Sequence, residues 1–354
     1  MSQQLRVPQG TESFFLEEAL RHKDILRQIE DQYKLWGYLP VQTPMVDFYD
    51  SYGELLDKKR QEESYRMISR EGDLLILRSD ITLFLARQMA LILEEDHCPV
   101  RVYYSDSILR YQNHEDISHN EFFQTGCELI GKKDLDGDLE VIMLLHDQLE
   151  ELSLPPFRIH IGSRALFRRL LANAGAEEKE KELSLLLDTR DYDGLCEVLP
   201  AEAVDLLFFI GTLTEFRDKL TKLSSSLKKS IKEVSEDFTA LIDQLEKTGK
   251  AESFRIDLSE IGGQPYYTGF VFQAYMEGAD RAVASGGRYD DLFGRFGKKF
   301  CSVGFSLLLR KIEKLMDVTE RKAPVQLDGG KKDFAALYKE AAERRDRGES
   351  VRLG

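Results

Sequence analysis

No stretch of about 18 apolar residues occurs in the 354-residue chain, which excludes a membrane-spanning helix. The opening MSQQLRVPQG has no apolar core of the kind a secretory leader needs, so a cytoplasmic protein is expected. The four cysteines, Cys98, Cys127, Cys196 and Cys301, are far apart and form no CxxC pair. A disulfide framework or a structural zinc site is therefore not expected, and no cofactor is. The six histidines show no HExxH spacing, no GxSxG occurs, and no Gly-rich segment ends in the Lys-Ser/Thr of a P-loop. Net positive charge is also missing: 49 Lys and Arg face 63 Asp and Glu, giving a formal charge of -14. Proteins that hold nucleic acid neutralise phosphates with clustered cations, so the balance speaks against an RNA partner. The strongest basic run, KLSSSLKKSIK at 222–232, lies between acidic neighbours and is expected to be a solvated helix face.

What the chain has is a 42% apolar fraction, enough for a sizeable core. Residues 13–36 carry a helical period, with Ser13 placed to cap it and Leu16, Leu20, Ile29, Tyr33 and Trp36 near one face. Strand patterns follow at 38–44, 74–78, 100–104, 121–131 and 157–162, with helices at 81–93 and about 138–153. From 164 to 250 the pattern is almost wholly helical. Strands resume at 254–258, 266–276 and 280–285, and a helix is expected at about 305–316. Strands on both sides of a helical block predict an α+β fold: one sheet, built from 1–163 and 251–317 and interrupted by an insertion at 164–250. Residues 318–354 are polar and read as a tail or the remnant of a further domain.

The strand EFFQTGCELIG, 121–131, carries the clearest site signal. Alternation puts Gln124, Gly126 and Glu128 on one face, with the two polar groups roughly 13 Å apart at a rise of about 3.3 Å per residue. Gly126 between them predicts space for a small ligand, and a carboxylate there suits an ammonium or imidazole N–H. Tyr267, in the aromatic strand YYTGFVFQAYMEG, and Tyr289 offer phenol groups, although aromatic strands more commonly serve as core. SGGRYDDL, 285–292, predicts a turn where backbone comes close to a ligand. The loop NHEDISHN, 113–120, reads as solvated and acidic.

Five segments in order make a resemblance specific. Residues 8–47 (PQGTESFF…TPMVD) resemble the opening helix and first signature of class II histidyl-tRNA synthetases. LRSDITLFLAR, 77–87, is similar to their LRPEGT-type segment, and ILRYQNHEDISHNEFFQTGCELIG, 108–131, to their second signature. YYTGFVF, 266–272, and SGGRYDDLF, 285–293, resemble the two histidine-specific signatures. The match covers about residues 5–317, insertion included. The resemblance implies a class II synthetase-like α+β fold, an antiparallel sheet flanked by helices with a helical insertion, and a histidine pocket. It carries Asp80, Thr82, Arg110, Gln124, Glu128, Tyr267 and Tyr289 into histidine-binding roles, Asp80 replacing the family's Glu.

Departures from the pattern decide the implied function. Where the family has an Arg ahead of its Gly-Leu-Asp-Tyr-Tyr, this chain has Gly262 in IGGQPYY. The Glu two residues after Arg110 is Gln112, the basic ATP-clamping loop is the acidic NHEDISHN, and the third signature's Arg is Lys311, next to Arg310. Nucleotide transfer needs preorganised positive groups where charge develops, and removing one such donor costs about 10²–10³ in rate. After residue 317 only 37 residues remain, of which DFAALYKEAAERRDRGESVRLG, 333–354, resembles the first helix and strand of the synthetases' anticodon-binding domain.

A synthetase core without adenylation chemistry is similar to the regulatory subunit of short-form ATP phosphoribosyltransferase, a non-catalytic partner. It implies assembly with the short catalytic subunit, activation of it, and relay of histidine feedback in the first step of histidine biosynthesis. It also implies a homodimer within a larger hetero-oligomer. Two other readings stay open at this point: an active histidyl-tRNA synthetase core, which histidine-dependent pyrophosphate exchange would reveal, and another non-catalytic paralogue used as a binding module.

Overall fold

β-Branched and aromatic residues alternate along the longest strands, and that period of two builds the central layer. A computed structural model describes residues 10–11, 13–111, 120–152, 154–316, 323–327 and 333–353. Nine strands form one sheet: β1 (Leu39–Pro40), β5 (Val100–Leu109), β6 (Glu121–Ile130), β7 (Phe157–Ser163), β8 (Ile210–Gly211), β9 (Phe254–Asp257), β10 (Phe270–Met276), β11 (Ala284–Arg288) and β12 (Ser302–Leu308). Their spatial order is β1-β5-β6-β12-β11-β10-β7-β9-β8. All neighbours are antiparallel except β1 with β5 and β7 with β9. A small three-stranded sheet of β2 (Val46–Phe48), β3 (Arg66–Ile68) and β4 (Leu74–Leu77) lies apart from it in the pairing, in the order β2-β4-β3.

The helices α1 (Leu16–Leu35), α2 (Lys58–Glu63), α3 (Ile81–Ile92) and α4 (Leu135–Glu151) come before the insertion. Two cores form. Ile25, Ile29 and Tyr33 of α1 join Val141, Leu145 and Leu149 of α4 against Leu129 and Phe305 of the sheet. Phe84 and Leu85 of α3 join Tyr104, Tyr267 and Tyr289 in a second core. Residues 164–247 supply seven helices, from α5 (Arg164–Asn173) to α11 (Lys232–Lys247), and only the two-residue β8, paired to β9, interrupts them. α12 (Leu309–Leu315) follows β12 directly. The chain forms two compact units, Met1–Met316 and Asp317–Gly354. In the second, β13 (Val325–Leu327) and β14 (Val351–Leu353) pair in parallel beside α13 (Phe334–Arg345), burying Leu327, Leu337, Ala341 and Val351.

Several expectations need correcting. α1 starts at Leu16 with Phe15 in the cap position and no side-chain cap, so Ser13 does not cap it. Its buried face is Ile25, Ile29 and Tyr33, while Leu16 and Leu20 are exposed. The helix expected from 305 begins at Leu309, because SVGFSLL continues a strand alternation and takes a central place between β6 and β11. Ser285–Arg288 is not a turn but the interior of β11, where paired glycines let neighbouring strands approach closely. The strand expected over 38–44 shrinks to Leu39–Pro40; proline has no N–H to extend a ladder. The NHEDISHN loop lies outside the described residues up to His119.

Candidate functional site

Register across the sheet assembles the site. One row aligns Val102, Glu128, Gly304 and Gly287; the next aligns Tyr104, Gly126, Ser306 and Ser285; Gln124 lies one row further on. α3 and the segment between β9 and β10 complete the enclosure. The cavity is lined by Asp80, Thr82, Gln124, Glu128, Gln264, Tyr266, Tyr267, Ser285, Tyr289, Gly304, Phe305 and Ser306. Its free volume is about 20 Å³, room for about one water.

Glu128 is the centre of it. The side chain is 1% exposed. Its Oε1 accepts from Thr82 Oγ1 at 2.6 Å and its Oε2 from Tyr289 OH at 2.5 Å. A Cβ on Gly304, the cross-strand neighbour, would stand 1.6 Å from Glu128 Oε2, so only glycine leaves space for the carboxylate. Burial pushes Glu128 up to about 8; the two hydroxyl donors pull it back, and nearby Asp80 adds to the rise. No Lys, Arg or His is among the described residues lining the cavity. Two carboxylates, phenols, hydroxyls and amides make walls that favour a small cationic ligand.

Asp80 has a structural duty as well. It caps α3 through Oδ1, which accepts from Leu83 N at 2.9 Å, while Oδ2 accepts from Tyr266 OH at 3.4 Å. Thr82 sits one residue into the same helix, so the cap fixes both side chains at the cavity. Tyr267 is buried, its ring lying over Gly262 and Gly287. Tyr289 packs edge-on to Tyr266.

Of the seven residues singled out in the sequence, the structure brings six to the cavity. Arg110 does not line it: the guanidinium donates to Ser79 O at 2.8 Å and bears on the segment that presents Asp80. Gly126 does not leave room for a ligand either. A Cβ there would lie 2.6 Å from Tyr104 OH, so the phenol fills the space. The alternation rule gives the face but not which side chain crosses from the neighbouring strand. Gln264, Tyr266, Ser285, Gly304 and Ser306 were missed as a group. Tyr266 and Gln264 were legible as neighbours of Tyr267, but Ser306 was assigned to a helix and so lost its cross-strand partner Ser285.

The positions that carry charge in the synthetase pattern lie elsewhere. Gly262 has φ of +77°, and a Cβ there would meet Tyr267 Cδ2 at 2.5 Å, so this backbone has no place for an arginine. Lys311 pairs with Asp280 at 3.8 Å, and Arg310 reaches Glu18 at 2.7 Å and covers the Phe14 ring. Neither lines the cavity. No described helix is long and apolar enough to cross a membrane.

Comparison with known proteins agrees with this geometry. The family model described as histidyl-tRNA synthetase matches residues 10–312. An ATP phosphoribosyltransferase regulatory subunit of Moorella thermoacetica is 30% identical over 99% of this chain and 92% of its own length. One from Clostridium kluyveri is 28% identical over 97% and 91%. A Bacillus halodurans structure titled as an ATP phosphoribosyltransferase regulatory subunit/histidyl-tRNA synthetase superposes with TM-score 0.84 at 27% identity, covering 99% of this chain and 92% of that one. Histidyl-tRNA synthetase from Nostoc shares the fold at TM-score 0.83 and 22% identity, over 99% and 86%. The chain belongs to the histidyl-tRNA synthetase family and, within it, to the ATP phosphoribosyltransferase regulatory subunits.

Proposed function

We propose that this chain is the non-catalytic regulatory subunit of a short-form ATP phosphoribosyltransferase, and that its cavity binds histidine. It activates the catalytic subunit and relays histidine feedback in the first step of histidine biosynthesis. The observation that carries this reading is the wall composition: Glu128 and Asp80 face the cavity with hydroxyls and phenols, and no cation is among the described residues lining it. Such walls suit the ammonium and imidazole of histidine, and the described lining residues bring no positive group to a triphosphate. Asp80, Thr82, Gln124, Glu128, Tyr267 and Tyr289 touch the ligand in this reading, and Arg110 acts through Asp80. The chain works as a homodimer within a larger hetero-oligomer in the cytoplasm, with no nucleic-acid partner. Residues 164–250 are an inserted module, and 318–354 a separate C-terminal segment.

Mixing the purified chain with a short-form catalytic subunit tests the assignment. Co-elution, a rise in phosphoribosyl transfer, and its suppression by histidine are expected. Histidine-dependent pyrophosphate exchange by this chain alone would instead make it an active synthetase core.

A further inference from the structure

The segment Leu258–Gly269, between β9 and β10, gives the cavity Gln264, Tyr266 and Tyr267. From one side it is held by Arg60 of α2, which donates to Gly263 O at 2.7 Å and to the Gln264 side-chain oxygen. From the other side it is held by Arg164, the first residue of α5 and of the helical block. The Arg164 backbone N–H donates to Gly269 O at 3.0 Å, and its Nη1 approaches Ile261 O at 3.3 Å and Gly262 O at 3.4 Å. One residue thus holds the segment at Ile261–Gly262 and at its last residue, Gly269.

The remaining donors of the same guanidinium grip the insertion. Nε and Nη2 of Arg164 reach Glu180 Oε1 at 2.9 and 2.5 Å, and Arg168 Nε adds bonds to both Glu180 oxygens at 3.0 and 3.1 Å. Glu180 opens α6 (Glu180–Asp188), and Asp188, exposed at the other end of that helix, lies within the field of Arg164.

We infer that Arg164 links the cavity to the helical insertion, so that occupancy of the one is felt in the other. The inference rests on the histidine reading above. Gln264, Tyr266 and Tyr267 put the Leu258–Gly269 segment in direct contact with whatever occupies the cavity, whose free volume is about 20 Å³. A planar guanidinium holds its N–H groups in a fixed fork. A displacement of the Ile261 and Gly262 carbonyls therefore bears on its grip on Glu180, and a ligand that displaces them biases the linked element, which is what coupling between sites requires.

Hydrogen exchange of the 354-residue chain, with and without saturating L-histidine, tests this in wild type and in Glu180→Gln. Affinity is measured in parallel by calorimetry. Histidine is expected to change exchange across residues 180–188 in the wild type by at least ~5-fold, the lower end of ordinary coupling. In Glu180→Gln the change should shrink below about twofold while affinity shifts by less than the coupling factor. Arg164→Lys, which keeps the charge but loses the fork, should give the same result. Binding to the wild type without any change at 180–188, or a response that survives in Glu180→Gln, overturns the link and leaves the histidine reading standing. No binding to the wild type sinks both.

Discussion

Replacing Glu128 by glutamine should flatten part of the pH dependence of folding. The carboxyl is fully buried, takes hydroxyl donors on both oxygens, and has no cation among the described residues lining its cavity. Its pKa rises from 4.5 to about 8 on folding. Across that window the unfolded chain releases a proton that the folded chain keeps, so folding stability falls as pH rises. The penalty is absent below the unfolded value and complete above about 8. At 1.36 kcal/mol per decade, the interval corresponds to an upper limit of roughly 5 kcal/mol. Urea unfolding at pH 5, 7 and 9 compares wild type with Glu128→Gln; every other titrating group is common to both and cancels. The stability of the wild type relative to the variant should drop by about 3–5 kcal/mol from pH 5 to 9. A difference that stays constant across this range would refute the assignment of a protonated, uncompensated carboxyl.

The same proton should appear on ligand binding. At pH 7 a cationic group meeting Glu128 favours the carboxylate, so histidine titration in buffers of different ionisation enthalpy should report release approaching one proton; zero release rejects that pairing. Gly304→Ala drives a methyl into Glu128 Oε2 and should lower stability by about 1–3 kcal/mol, read from the urea midpoint, and weaken histidine binding at least tenfold. Asp138→Asn removes the buried partner of Arg288, whose Nε sits 2.8 Å from Asp138 Oδ1. Because Asp290 and the Lys132 carbonyl also receive that guanidinium, the loss should be about 3 kcal/mol, at the lower end for a broken buried pair. An unchanged midpoint would show that the pair carries no net stability.

The linear chain determined a good deal. Alternation along 121–130 put Gln124 and Glu128 on one face, and they line one cavity. The cap at Asp80 lies in the SDIT sequence itself, where a short carboxylate precedes an apolar helical run. The block of Glu-, Lys- and Leu-rich periodicity marked the helices between 164 and 247. Gly262, where the synthetase pattern has arginine, was visible without any coordinates.

Tertiary structure decided the rest, because a strand's face says nothing about what arrives from its neighbours. Pairing of β12 between β6 and β11 turned an apparent helix start into the strand that brings Gly304 and Ser306 to the cavity. The phenol of Tyr104 crossed from β5 to fill the space above Gly126, and Gly304 opened space for Glu128 instead. Local periodicity is a property of residues a few positions apart. Volume is shared among residues 22 positions apart, as Tyr104 and Gly126 are, or 176 apart, as Glu128 and Gly304 are, and only their packing assigns it.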